Sequence, residues 1–193
     1  MSMRPQEVLD FWFGAAGSAE RGKARAAWFR KDPAFDALIA GRFGAQIEQA
    51  LAGGLREWEA EPGSALARIL LLDQFTRNVF RDTPRAFEGD ALALPAARRM
   101  VARGHDLALA PFERSFVYLP FEHAEDMAAQ DEAVRLFERL AAASPECADM
   151  LPYSHRHRDI VARFGRFPHR NAILGRASTA EEAEFLLQPG SGF

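Results

Sequence analysis

The chain is 193 residues long, a length that fits one domain, and 48 % of it is hydrophobic, enough for a sizeable core and too much for a disordered chain. Its formal net charge of −3 gives no electrostatic reason to expect a nucleic acid or a membrane as partner. Cys147 is its single cysteine, which excludes an internal disulfide and a zinc site built on cysteines.

In chain order, Asp32-Pro33 predicts an N-cap followed by proline in the first helical position. Phe35, Leu38, Ile39, Phe43 and Ile47 recur at helical spacing, and Gly53-Gly54 ends the run. Pro62-Gly63-Ser64 opens a helix from Ser64 to about Arg81, and another is predicted over Phe87 to Arg103 with Gly104 as its stop. Pro111 begins a stretch that Pro120 divides, and beyond Pro120 a long helix is predicted to about Ala143. Helices near 151–164, 168–174 and 179–188 follow, the last opened by the capping box Thr179-Ala-Glu-Glu182. No segment alternates as a strand does, and no linker divides the chain. The expected fold is all-α, a single helical domain over 1–193, with short loops making consecutive helices antiparallel neighbours.

Two helices carry polar groups where a core face is expected. The helix from Ser64 is apolar nearly all round over Leu66 to Leu72, apart from Arg68, and so should be buried. Its second half aligns Asp73, Arg77 and Arg81 at i, i+4, i+8, with Gln74 and Asn78 alongside. The bland alternative is a surface stripe with an Asp–Arg pair. In the helix after Pro120, the face of Ala133, Val134, Phe137 and Leu140 projects back onto Glu122, His123, Asp126 and Gln130. Buried carboxylates and an imidazole need partners, so these groups are expected to line a pocket unless this helix end stands in solvent. Asp126 is expected there as a buried partner of an arginine.

Cations for that pocket are sought near the C-terminus. Between Tyr153 and Arg176 stand Arg156, Arg158, Arg163, Arg166, Arg170 and Arg176 with His155, His157 and His169, against one acid, Asp159. Gly165 to Asn171 reads as a turn feeding a helix that starts at Pro168, a place where backbone N–H groups favour anions. A solvated basic surface is the alternative. His157 falls with Tyr153, Ile160, Val161 and Phe164 and reads as a core histidine. No metal-ligand spacing, nucleophile elbow, P-loop or dinucleotide fingerprint is present. No metal and no cofactor is therefore expected. The first residues lack the apolar stretch of a signal peptide, and the densest apolar run, Ile69 to Leu72, is too short to cross a bilayer, so a cytoplasmic location is expected.

Several strings together resemble a known family: Val8-Leu-Asp-Phe-Trp-Phe-Gly14, Trp28-Phe29, Leu72-Asp-Gln-Phe-Thr-Arg-Asn-Val-Phe-Arg81, Phe87 with Asp90, Tyr118-Leu-Pro-Phe-Glu-His-Ala-Glu-Asp126 and Phe164-Gly-Arg-Phe-Pro-His-Arg-Asn171. The family is the bacterial domain-of-unknown-function family numbered nine hundred and twenty-four. The resemblance implies an antiparallel helical array like the tetratricopeptide superhelices; it implies no activity and no catalytic residues. Members often carry serine after the histidine, where this chain has Ala124.

Three functions are open to such a chain. The first is a binding module in which Arg77, Arg81, Arg166 and Arg170 grip a small anionic molecule or a peptide carboxylate, while Asp73, Gln74, Asn78 and Asn171 read its other polar groups. The second is a metal-independent hydrolase or lyase, with His123 or His169 as general acid or base and Glu122, Asp126 or Asp73 orienting the imidazole. The third is a buried charge network without ligand.

Overall fold

The computed structural model describes residues 3–192. Among them every regular element is helical. Helix α1 spans Pro5–Phe13, α2 Pro33–Leu51 and α3 Pro62–Leu70. A wide π turn, Leu71–Phe75, joins α3 to the short α4, Thr76–Val79. Then come α5 at Asp90–Ala102, α6 at Pro111–Glu122, α7 at Met127–Ala143, α8 at Leu151–Phe164 and α9 at Ala180–Leu186. Among the described residues no helix is long and apolar enough to cross a membrane.

The helix ends obey the local chemistry. Asp32 caps α2, its Oδ1 accepting from Ala34 and Phe35 N–H at 3.0 and 3.2 Å, with Pro33 in the first turn. Gly165 stops α8 in a left-handed conformation, φ 70°, that a side chain would oppose. Thr179 and Glu182 close the capping box of α9.

The core is built around α3. Every residue from Ala65 to Thr76 is buried, as the all-round apolar pattern predicts. α3 packs against α1, α5 and α6, while α6 and α8 both lie on α7. One apolar cluster extends from Val8 to Cys147 and includes Trp12, Trp28, Phe43, Phe75 and Phe116. A smaller one holds Ile160, Val161 and Phe167 under Met127 and Phe185. Arg68 alone breaks the apolar surface of α3; its guanidinium donates to the Gly54 carbonyl at 3.0 Å and to Glu59 at 2.9 Å.

The π turn is locked from outside. Thr76 Oγ1 donates to the Leu72 carbonyl at 2.8 Å, and the Gly89 backbone lies against that same carbonyl. A Cβ at Gly89 would stand 1.9 Å from Leu72 O.

Three expected boundaries move. α6 continues through Pro120 to Glu122, just as α5 accommodates Pro95, and the chain turns instead at 123–126. There Asp126 caps α7, accepting from Ala129 N–H at 2.8 Å. The helix expected over 168–174 is one 3-10 turn, Pro168–Arg170, because Arg176 N–H folds back onto the Asn171 carbonyl at 2.8 Å. The helix expected from Phe87 begins at Asp90, after a 3-10 turn at Pro84–Phe87.

Candidate functional site

The π turn, the C-terminal end of α6 and the 168–170 turn converge on one charged cluster. Asp73 is fully buried on the π turn. Its Oδ1 is 2.7 Å from His123 Nδ1, its Oδ2 accepts from Gln74 Nε2 at 2.6 Å, and Arg77 Nη1 lies 3.1 Å from Oδ1. Arg77 also makes a bidentate pair with Asp90 at the start of α5, at 2.7 and 3.0 Å. Arg170 approaches from the other side. Its guanidinium stacks between Phe87 and Phe167, 4.6 and 4.5 Å from the ring centroids. It donates to the His123 carbonyl at 3.0 Å and stands 3.5 Å from Asp90. Its Nε is buried without a hydrogen-bond partner among the described residues.

Electrostatics separates the roles. Burial alone would raise the Asp73 pKa, but Arg77 and then His123 overturn it and hold the carboxyl well below its ordinary range. An ionised Asp73 only accepts, so His123 carries its proton on Nδ1. Burial first, and Arg77 second, lower the His123 pKa despite Asp73, so the ring is neutral at neutral pH. Its Nε2 makes no hydrogen bond among the described residues, and the side chain keeps 14 % exposure. Glu122 is driven the other way: burial, reinforced by the charge of Asp73, pushes it up to about 8. Burial takes His157 down to about 3 and His169 down to about 4.

Of the residues expected around one pocket, Asp73, Gln74, Arg77, Glu122, His123, His169 and Arg170 come together. Asn78 and Arg81 do not: both bind Asp36 of α2, at 2.8 Å and at 2.9 and 3.0 Å. The stripe divides after Arg77, and α4 ends at Val79, before Arg81. Arg166 and Asn171 belong to Glu182 of α9, which accepts from Arg166 at 2.6 and 2.8 Å and from Asn171 at 3.3 Å. Asp126 is exposed, capping α7 with Arg98 at 3.8 Å, so it is not a buried arginine partner. Asp126→Ala is therefore expected to cost about 1 kcal/mol, the worth of a cap, rather than a buried ion pair; chemical denaturation measures it, and a loss above about 3 kcal/mol would contradict the exposed geometry.

Sequence reasoning missed Asp90 and Glu125. Glu125 accepts from Arg176 at 2.6 and 2.9 Å and from Phe167 N–H at 2.8 Å, which ties the 168–170 turn to the loop after α6. The expected shortage of acids does not exist: Asp36, Asp90, Glu125, Asp131, Glu181 and Glu182 all pair with arginines. A surface cleft of about 440 Å³ lies elsewhere, between α8 and the segment after α9, lined by His155, Ile160, Phe164 and Phe185. No group of three or more metal-ligating side chains occurs among the described residues.

The fold and the cluster define an all-helical protein with an interior carboxylate–imidazole pair clamped by two arginines. The chain belongs to the family described as bacterial protein of unknown function, DUF924, whose profile matches residues 8–190. Among solved structures it is similar to the protein of unknown function ATU0120 from Agrobacterium tumefaciens, with 42 % identity over 95 % of this chain and 96 % of that one and a TM-score of 0.82. No curated protein matches.

Proposed function

We propose that the protein binds a small ligand at His123 and exchanges a proton with it, the chemistry of a hydrolase or lyase that needs no metal for the proton step. One observation carries this reading: His123 is neutral, its Nδ1 is fixed at 2.7 Å by an ionised Asp73, and its Nε2 is left as an unbonded acceptor. The ligand's anionic group, a carboxylate, a phosphate or a peptide terminus, would be held by Arg77 and Arg170 in exchange for Asp90, which is 25 % exposed. The reading as a purely structural network is favoured by charge balance, since Arg77 and Arg170 face Asp73 and Asp90.

Calorimetric titration of phosphate, sulfate and small dicarboxylates separates the two. Saturable binding is expected, weakened at least about tenfold in Arg170→Ala, the loss of about one charge-assisted contact. Its heat should depend on the buffer's ionisation enthalpy, because His123 takes up a proton, and His123→Gln should remove that dependence. Binding indifferent to Arg170, tighter binding of cations or neutral sugars, or no anion binding at all would leave the structural network.

A further inference from the structure

The groups that would touch a ligand are largely closed in. Asp73 is fully buried and Arg170 is 6 % exposed, while the side chains of His123, Arg77 and Asp90 keep 14, 18 and 25 %. Room for a ligand with several polar groups has to come from a movement. The element that closes the site is the chain after Gly165, which lays Arg170 against the His123 carbonyl at 3.0 Å.

That segment is built as one body. Arg166 donates to Glu182 at 2.6 and 2.8 Å and to the Ala177 carbonyl at 2.9 Å. Arg176 donates to Asn171 Oδ1 at 3.0 Å and to the Phe167 carbonyl at 3.1 Å, and Asn171 donates to Ser178 Oγ at 3.0 Å. Its attachment to the rest is slighter. The main apolar cluster takes in no described residue beyond Leu151. The segment rests instead on the small cluster, where Phe167 and Phe185 meet Ile160, Val161, Phe164 and Met127. Along that seam the cleft of about 440 Å³ separates α8 from the chain after α9. The Arg163–Glu181 pair across it is exposed and contributes little. The concentrated polar attachment is Glu125, which accepts from Phe167 N–H at 2.8 Å and from Arg176 at 2.6 and 2.9 Å. A unit held by a small apolar cluster and a few polar bonds opens before the rest of a fold does.

We propose that residues 165–186 form a flap that swings about Gly165 to admit the ligand to His123, with Glu125 as the latch that brings Arg170 back over it. Gly165 has φ 70°, a backbone that a residue without Cβ leaves and re-enters at little cost. Closure returns the Arg170 guanidinium to the ligand's anionic group and shuts out water. Glu125 meets no ligand in this motion; it is a positioning residue that acts through Arg170. The inference rests on the reading of His123 as the ligand site.

Amide hydrogen exchange of the full chain, followed by NMR, tests this. When the flap swings as a body its internal bonds persist, and Phe167 N–H loses the Glu125 carboxylate. That amide is expected to exchange at least about a hundredfold faster than those of Leu70 and Leu71 in the core, with a weaker dependence on urea. Inorganic phosphate at about ten times its Kd should slow it about tenfold, because a ligand held by Arg170 favours the closed flap. Glu125→Gln, similar in size but uncharged, should speed it about tenfold. In that variant phosphate should also associate and dissociate about tenfold faster with Kd nearly unchanged, the signature of a gate rather than of a contact. Phe167 exchanging only in step with Leu70 and Leu71 overturns the proposal, as does a Phe167 rate that Glu125→Gln leaves unmoved. The wild-type measurement stands if the variant fails to fold. Calorimetric phosphate binding without local opening rejects the flap alone. Local opening in a protein that binds no anion rejects the ligand reading, and with it the role of the flap, while the opening itself stands.

Discussion

Between pH 6.5 and about 8 the wild type is expected to lose about 2 kcal/mol of stability relative to Glu122→Gln. Glu122 ordinarily ionises at 4.5 and in the folded protein at about 8. Between those values the unfolded chain has released a proton that the folded chain still holds, so each added pH unit favours unfolding by about 1.4 kcal/mol. The buried histidines act in the opposite sense, mostly in a lower interval. His157 and His169, held down at about 3 and 4, and His123, also lowered, make folding easier as pH rises through their ordinary value of 6.5, each still adding about 0.4 kcal/mol between 6.5 and 8. The depressed carboxyls of Asp73 and Glu182 titrate on the acid side, and Arg170 and Cys147, at about 10 and about 11, on the alkaline side. In the difference between the wild type and Glu122→Gln these contributions cancel, and the interval from 6.5 to 8 belongs to Glu122. Urea unfolding at half-unit steps of pH measures the slope. Parallel profiles for the wild type and Glu122→Gln would show that Glu122 ionises normally.

Gly89→Ala is expected to destabilise by at least about 3 kcal/mol, the upper end of overpacking costs. The backbone at Gly89 has ordinary helical angles, φ −78° and ψ −13°, so conformational freedom is not the reason for glycine. The reason is contact: the new Cβ would sit 1.9 Å from the Leu72 carbonyl oxygen and 3.0 Å from Leu72 Cα, both backbone atoms that cannot swing aside. Relief requires α5 to withdraw from the π turn, which would also pull Asp90 from Arg77. Gly41→Ala in α2, with nothing within 4 Å of the added carbon, is the control and should stabilise by about 0.5 kcal/mol through the unfolded state. Equilibrium unfolding of both variants decides it; equal stabilities would mean that the contact at Gly89 relaxes at little cost.

Local signals were legible in the sequence. The bounds of α8 follow from the apolar spacing before Gly165, the start of α9 from its capping box, and the burial of α3 from its apolar surface, broken only by Arg68. The break at 123–126 was hidden because Pro120 reads as a helix breaker, although α6 runs through it to Glu122. In the site, Asp73, Gln74, Glu122 and His123 were recognisable as polar groups on apolar faces. Their counterions were not. Arg77 meets Asp90, Arg81 meets Asp36 and Arg176 meets Glu125 across chain separations that no helical periodicity encodes. The all-α class and the family were readable; the division of the arginines among three separate clusters needed the tertiary structure.

The π turn also bears on how this chain can change over generations. A turn of Leu71–Phe75 holds one residue more than an α-helical turn, so it is equivalent to an insertion retained inside a helix. Gaining or losing a codon elsewhere in α3, with no such turn to absorb it, would rotate everything beyond it by about 100°. Arg77 would swing off Asp90, and Asn78 and Arg81 off Asp36, in a single step. Point substitutions can be offset one at a time; such a shift could not, because Asp36 on α2 and Asp90 on α5 would have to move together. Length drift in this lineage should accordingly be confined to the loops.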